Sequence, residues 1–259
     1  IVCENWRNLI SVGSKPLAIT NCLNFGNPEN EEIMGEFAEC LDGIKEACEF
    51  LKFPVVSGNV SFYNGTNKKN IFPTPVIGGV GLIQNLNKTL SHKFKKEKSI
   101  IVLIGKTFGH LEQSCFLKEN YSIIDGNPPE INLINEKNNG EMVLKLIERK
   151  LVLSAHDISS GGLLIALSEM SMGSNLGIKI EKSKKLRDLK EYFFGEDQGR
   201  YVLEIDEKNL ASVEKFLKSG NIYYEIIGKT QENFFEIENE MKIDTNVLYK
   251  ANNQWYNNY

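Results

Sequence analysis

Apolar positions recur along this chain with two alternating periods, and the elements they predict switch between helix and strand from one end to the other. Residues 4–12 predict a helix stopped at Gly13, and residues 16–20 a short strand leading into N-C-L-N-F-G-N-P, which places Asn21 at a strand end. Asn27 and Pro28 form a cap and first-turn pair followed by Glu29, Glu31 and Glu32. Ile33, Phe37, Leu41, Ile44, Cys48 and Leu51 then fall at three- and four-residue steps, the spacing of one apolar helix face. That helix returns the chain to F-P-V-V-S-G-N-V-S-F-Y-N, where Val55 and Val56 predict a strand that runs into Ser57, Gly58, Asn59 and Ser61. Two prolines bar residues 72–75 from a central strand, whereas residues 76–83 predict one.

Residues 85–98 are polar and lysine-rich, and a domain boundary is predicted there. The expected organisation is an N-terminal unit over 1–86, a linker over 87–97, a C-terminal unit over 98–240 and a tail over 241–259. The second unit opens on S-I-I-V-L-I-G, a strand of the fully buried type. Helices are predicted over 109–118, 136–150, 163–172 and 207–218, and strands over 151–154, 177–180, 200–205, 223–227 and 234–237. Residues 123–135 read as loop, and the Asn-rich end A-N-N-Q-W-Y-N-N-Y shows no core pattern. The fold class is therefore α/β with mixed sheets, in two units.

Composition narrows the partners more than the fold. The chain has 259 residues, 41% hydrophobic and 25% charged, the balance of a water-soluble globular protein with room for a sizeable core. A net charge of -4 argues against nucleic acid or an anionic membrane as main partner, and no apolar run approaches the roughly 18 residues of a membrane span. Five cysteines without a C-x-x-C pair disfavour a disulfide framework and a structural zinc site, so a reducing, cytoplasmic setting is expected. The first residues, I-V-C-E-N-W-R, show no basic leader, and the chain is read as beginning in mid-protein.

Four polar clusters each follow an apolar stretch: residues 21–27, 57–61, 156–162 and 195–200. Gly58 lets a ligand approach the backbone, and Asn59 and the serines offer oxygen ligands and donors without charge. Phosphates and Mg2+ use such groups, since Mg2+ takes oxygen ligands together with substrate phosphates. In the later clusters Asp157 is a candidate for Mg2+, Glu196 or Gln198 for a second ion or a phosphate, and Arg200 for a phosphate clamp. Each also has a plainer reading: a Ser/Gly/Asn turn at Ser57, a helix cap at Asp157, a surface ion pair for Glu196 and Arg200. His156 and Asp157 are neighbours on a strand and should face opposite ways, which disfavours a dyad and gives His156 a structural role. Neither G-x-G-x-x-G, nor a Walker-type loop, nor G-x-S-x-G occurs.

Five ordered motifs carry a resemblance that spans nearly the whole chain: N-C-L-N-F-G-N-P-E, P-V-V-S-G-N-V-S-F-Y-N, P-T-P-V-I-G-G-V-G, A-H-D-I-S-S-G-G-L and F-G-E-D-Q-G-R. The chain resembles the C-terminal half of the phosphoribosylformylglycinamidine synthase family, whose halves repeat the aminoimidazole ribonucleotide synthetase architecture of an N-terminal and a C-terminal α/β domain. The resemblance implies an ATP-dependent amidoligase of purine biosynthesis, converting formylglycinamide ribonucleotide and glutamine-derived ammonia to formylglycinamidine ribonucleotide. It implies ATP contacts at Asn21 and Gly58, a Mg2+ ligand at Asn59 and a substrate contact at Ser61, with the catalytic histidines in the other half. Asn21 stands where the family has an acidic residue, Gly65 replaces the acid of N-E-T, and Glu112-Gln113 replaces Gly-Gly. The resemblance further implies that Asp157, Glu196, Gln198 and Arg200 lie where the repeat would form a pseudo-symmetric site, which in some members holds a structural ADP. The implied partners are the N-terminal half, a glutaminase subunit and a small third subunit. The resemblance also implies an N-terminal domain without its first strand, which would expose a sheet edge and favour a homodimer. The competing readings are a non-catalytic nucleotide-binding scaffold, or another superfamily reaction such as that of aminoimidazole ribonucleotide synthetase, selenophosphate synthetase or thiamine phosphate kinase.

Overall fold

In the computed structural model, which describes residues 1–67, 69–181 and 188–257, the chain divides into two units, residues 1–10 with 14–84 and residues 11–13 with 85–259. The first unit runs α1 (Val2–Ser11), β1 (Lys15–Asn24), α2 (Glu31–Leu51), β2 (Val55–Ser61), the short hairpin β3 (Gly65–Thr66) and β4 (Lys69–Asn70), and β5 (Thr74–Leu82). Its sheet has the order β2-β1-β5, with β2 parallel and β5 antiparallel to β1. Alternation along β1 buries Ile19 and Leu23 on one face. Each contributes about 2 kcal/mol by removal from water. Asn5 and Leu9 of α1 lie on that face, within 3.1 Å of where a Cβ on Gly79 would sit.

Two expectations change here. Asn21 is not at a strand end: β1 continues to Asn24, because β2 and β5 pair with its backbone on both sides and a polar side chain does not interrupt such a ladder. Likewise Ser57, Gly58, Asn59 and Ser61 lie inside β2 rather than in a turn after it. The cap of α2 is Asn30, whose Oδ1 accepts from the Glu32 N–H at 2.9 Å, because the Asn27 side chain is already bound to the Glu29 N–H. Pro75 lies within β5, where an edge strand tolerates a residue without an N–H.

The second unit contains β6 (Ile100–Ile104), α3 (Cys115–Tyr121), α4 (Leu133–Glu148), β7 (Ser154–Asp157), α5 (Gly162–Ser171), β8 (Leu176–Ile180), α6 (Leu189–Phe194), β9 (Tyr201–Ile205), α7 (Leu210–Ser219), β10 (Tyr224–Glu232), β11 (Phe234–Ile237), β12 (Met241–Asp244) and α8 (Thr245–Asn257). Its mixed sheet has the order β12-β11-β8-β10-β6-β9-β7. β6 and β9 are buried at every position, β6 as its unbroken apolar run requires and β9 with one charged residue, Glu204, inside. Leu163, Leu167 and Met170 of α5 pack with Ile101, Leu103, Val202 and Phe235 in one core. The Asn-rich end forms α8, and its Leu248 packs against that core.

Residues 85–98 are not free of core contacts. Phe94 is 3% exposed within the second core, and Glu204 of β9, fully buried, accepts from the backbone N–H groups of Lys95 and Lys96 at 2.9 Å each and from Ser154 Oγ at 2.7 Å. A carboxylate with that many donors compensates much of its desolvation. No helix among the described residues is long and apolar enough to cross a membrane, and the cysteines are all free thiols.

Candidate functional site

Register brings the first unit's polar residues together. Asn21 lies opposite Gly58, Cys22 opposite Asn59 and Asn24 opposite Ser61, on adjacent parallel strands. A Cβ on Gly58 would meet Asn21 Oδ1 at 1.9 Å, so glycine is required for the Asn21 side chain to lie over β2. Period-two alternation then divides the set. Asn21 and Gly58 belong to the helix-covered face, with Ile19 and Leu23. Asn59 and Ser61 belong to the opposite face, with Cys22 and Asn24.

On the helix-covered side, Asn21 lines a groove of about 760 Å3 together with Leu41, Ile44 and Cys48 of α2 and Pro54 and Val55 at the start of β2. It is an apolar slot with one neutral amide, bordered by Asp42, Lys45, Glu49 and Lys52. On the opposite side, Val76, Val80 and Leu82 of β5 are 53%, 50% and 48% exposed, an apolar strip that neither helix of this unit covers. Ser61 Oγ donates to Asn64 Oδ1 at 3.3 Å, and Asn64 Nδ2 donates to the Phe25 and Ser61 carbonyls, which fixes the turn after β2. Because β2 is an edge strand, one ligand can reach both faces by passing around it.

Mg2+ requires about six oxygen ligands and usually takes only one or two from protein. The exposed side-chain oxygen of Asn59 fits one such position, and no group of three or more His, Cys, Asp or Glu among the described residues forms a complete metal site. Residues of this unit would therefore supply a minority of the coordination.

The second unit's polar residues converge differently. Asp197 accepts from three consecutive backbone N–H groups, those of Phe108, Gly109 and His110, at 3.0, 3.0 and 3.2 Å. This capture explains why residues 109–113 are a loop and α3 starts only at Cys115, not at Gly109 as the sequence predicts. Glu196 Oε1 accepts from the N–H of Cys115 at 2.8 Å and of Gly161 at 2.7 Å. Gly162, at φ +71°, lets α5 begin against the backbone of residues 193–195, where a Cβ would meet the Gly195 carbonyl at 2.7 Å. Burial, reinforced by the Glu196 carboxylate, pushes the Cys115 thiol up from its ordinary value.

Arg200 corrects an expectation. It is 0% exposed, with Nε donating to the Asp197 carbonyl at 3.0 Å, Nη2 to the Gly195 carbonyl at 2.6 Å and Nη1 to Thr107 Oγ1 at 3.0 Å. Its guanidinium holds the loop before β9 and is not presented as a phosphate clamp. Gln198 Nε2 bonds within the same loop, to the Glu196 carbonyl at 3.2 Å, and Asp157 is buried at the end of β7. The role of Asp197 was not visible from its sequence position; the only signal was a second acid between glycines just before a buried strand.

His156 and Asp157 also depart from the alternation argument. His156 Nδ1 lies 3.3 Å from Asp157 Oδ1, and Nε2 lies 2.9 Å from Glu169 Oε2 of α5, with the His92 ring 5.3 Å away. Asp157 closes the strand, so its side chain is not held to the far face. Burial works against the imidazolium, but the bonds to Asp157 and Glu169 outweigh it and raise the His156 pKa to about 9, while His92 is lowered by burial and by His156. A raised folded-state pKa contributes stability that is complete below about 6.5 and lost as pH rises through about 9. With exposed Glu169 discounted for screening, a loss of about 1–3 kcal/mol is expected. Urea midpoints of the wild type should fall across this window, and those of His156→Gln should stay level; parallel falls would refute the assignment.

Comparison with known proteins follows this geometry. The family described as AIR synthase related protein, N-terminal domain, matches residues 1–83, and its C-terminal domain matches residues 96–237. The chain belongs to the AIR synthase related family. Within that family it is 51% identical over 259 residues to phosphoribosylformylglycinamidine synthase subunit PurL of Pelagibacter ubique, covering all of this chain and 36% of the relative. The PurL of Rhodopseudomonas palustris (strain BisB5) is 45% identical over 258 residues, with 35% of it covered. The chain thus spans about a third of the length of these curated relatives. Among solved structures, T. maritima PurL complexed with ADP has a TM-score of 0.69 at 19% identity, covering 96% of this chain and 40% of that one. T. maritima PurL complexed with FGAR gives 0.70 at 17% identity, covering 94% and 41%. These establish the AIR synthase-like α/β fold of both units.

Proposed function

We propose that the chain is the C-terminal half of an ATP-dependent amidoligase that makes formylglycinamidine ribonucleotide in purine biosynthesis. The 51% identity to a PurL subunit over the whole chain carries this reading, and the Asn21–Gly58 contact gives it a site. In it, the purine base of ATP enters the groove beside Asn21, and the phosphates pass around the edge strand β2 toward Asn59 and Ser61. Asn59 would hold Mg2+ through one oxygen, and the ion would supply charge compensation for the phosphates. Ser61, already oriented by Asn64, contacts the substrate.

The amide oxygen of formylglycinamide ribonucleotide attacks the γ-phosphorus and ADP leaves. Ammonia then adds to the activated carbon, and the oxygen departs with phosphate. This chain's part is positioning and exclusion of water. The catalytic histidines and most metal ligands would come from the N-terminal half, and ammonia from a glutaminase subunit, with a small third subunit completing the assembly. The uncovered strip of Val76, Val80 and Leu82 suits the packing of that other half, and a homodimer through the same face is the alternative for the chain alone.

The test combines this chain with its N-terminal half and a glutaminase partner and follows ADP release. Release dependent on formylglycinamide ribonucleotide is expected. Gly58→Ala, which displaces Asn21, should lower it about tenfold or more, equivalent to about 1.4 kcal/mol. No substrate-dependent ADP from the wild-type combination would refute the reading.

A further inference from the structure

We propose that a cavity of about 900 Å3 in the second unit binds a neutral ring carrying vicinal hydroxyls, the chemistry shared by a free pentose and by the ribose of a nucleoside. The cavity opens at the end of β6 and the start of β10, beside the N-terminal half of α4. All of its lining lies in the second unit, so the inference is independent of the amidoligase site built on Asn21, Gly58, Asn59 and Ser61.

The donor inventory selects the ligand class. A phosphate site is disfavoured, because Arg200 is buried and committed to loop carbonyls, and Lys106, with Nζ 5.8 Å from the Tyr223 ring centre, shares the lining with the acids Glu130, Glu136 and Asp197. A metal site is disfavoured too: Asp197 is saturated by backbone N–H groups and Glu136 is 1% exposed. Besides Lys106 and Glu130, the exposed polar side chains of the lining are the neutral amides of Asn132, Asn135, Asn138 and Asn221, with His110 and Gln198 half-buried beside them. Each amide offers both a donor and an acceptor, the match for a hydroxyl that also does both.

The helix start sets where two of these amides project. Asn132 Oδ1 caps α4 by accepting from the backbone N–H of Asn135 at 2.9 Å, and Asn135 and Asn138, three residues apart, share one helix face along the cavity. The rings of Tyr223 and Phe108, 42% and 79% exposed, give flat apolar surfaces for the C–H face of a sugar ring. Neighbouring amides beside aromatic faces, with little net charge, suit vicinal hydroxyls better than any anion.

Saturation-transfer NMR and calorimetry on the 259-residue chain would test this with D-ribose, ribose phosphate, adenosine and dideoxyadenosine as probes. Ribose and adenosine should bind, and dideoxyadenosine, lacking the hydroxyls, should bind about tenfold more weakly or less. Ribose phosphate should gain no more than about threefold over ribose. Asn138→Ala, an exposed helix substitution that improves helix propensity, should weaken ribose about fivefold with an unchanged melting temperature. Tyr223→Phe, which keeps the ring, should bind as the wild type. The ratio of ribose to adenosine affinity separates a free sugar from a nucleoside. Equal binding of dideoxyadenosine, a phosphate requirement, or indifference to both Asn135→Ala and Asn138→Ala would overturn the proposal. Adenosine binding lost in Gly58→Ala but kept in Asn138→Ala would overturn it while leaving the amidoligase reading intact.

Discussion

Replacing Asp197 with alanine is expected to destabilise the second unit by about 3–5 kcal/mol, since the change removes one carboxylate from several groups that depend on it. Three backbone N–H groups at residues 108–110 lose their acceptor, and the buried guanidinium of Arg200, 3.8 Å from Asp197 Oδ2, loses its counter-charge. Water entering from the adjoining cavity could replace only part of this, because it brings no charge to the buried guanidinium. Chemical denaturation should show the loss, and amide exchange at residues 108–110 should accelerate more than in the β6 core. Asp197→Asn, which keeps an acceptor oxygen but no charge, should fall between. A shift below about 1 kcal/mol for the alanine variant would mean that the loop is held by something else.

Glu204→Leu should have a loss of similar size, about 3–4 kcal/mol, for a related reason. The isobutyl group fits a strand, but it leaves the Lys95 and Lys96 N–H groups and Ser154 Oγ facing an apolar side chain. At roughly 2–4 °C per kcal/mol for a unit of this size, the melting temperature should drop by about 6–16 °C. Residues 95–98 should become more sensitive to protease even where the sheet survives, as Lys95 and Lys96 lose their backbone anchor while Phe94 keeps its bond to the Met170 carbonyl. Unchanged melting together with unchanged proteolysis would exclude this role. Glu204→Gln, with one oxygen retained, should recover part of the loss.

Much of the architecture was legible because it rests on periodicity. The long face of α2, the unbroken apolar run of β6, the mostly apolar run of β9, and α4 are all written in residue spacing. Boundaries were less legible wherever a distant side chain decides them. α3 starts late because Asp197, far along the chain, holds the amides that would have begun it. α2 starts late because Asn27 makes its own local turn. α8 was read as tail because its Asn-rich sequence obscures the packing of Leu248.

The polar residues show the same limit. Sequence gathered Asn21, Gly58, Asn59 and Ser61, and the register of β1 and β2 does place them side by side. It did not separate them by face, since the faces follow from strands longer than the apolar pattern alone suggests. Charge at Arg200 was visible, but its burial was not, so a group that secures loop carbonyls looked like one that awaits a ligand. The Asp157–His156–Glu169 contacts required knowing that α5 passes beside β7.

The three-stranded sheet of the first unit has one further consequence. Both β2 and β5 end it with unpaired backbone, and the strip of Val76, Val80 and Leu82 adds a sticky surface beside one of those borders. Freshly synthesised chains would tend to cross-pair with one another before meeting the right companion. With the proposed N-terminal half as that companion, producing both in one cell should therefore yield more dispersed, filterable material than mixing them after separate production.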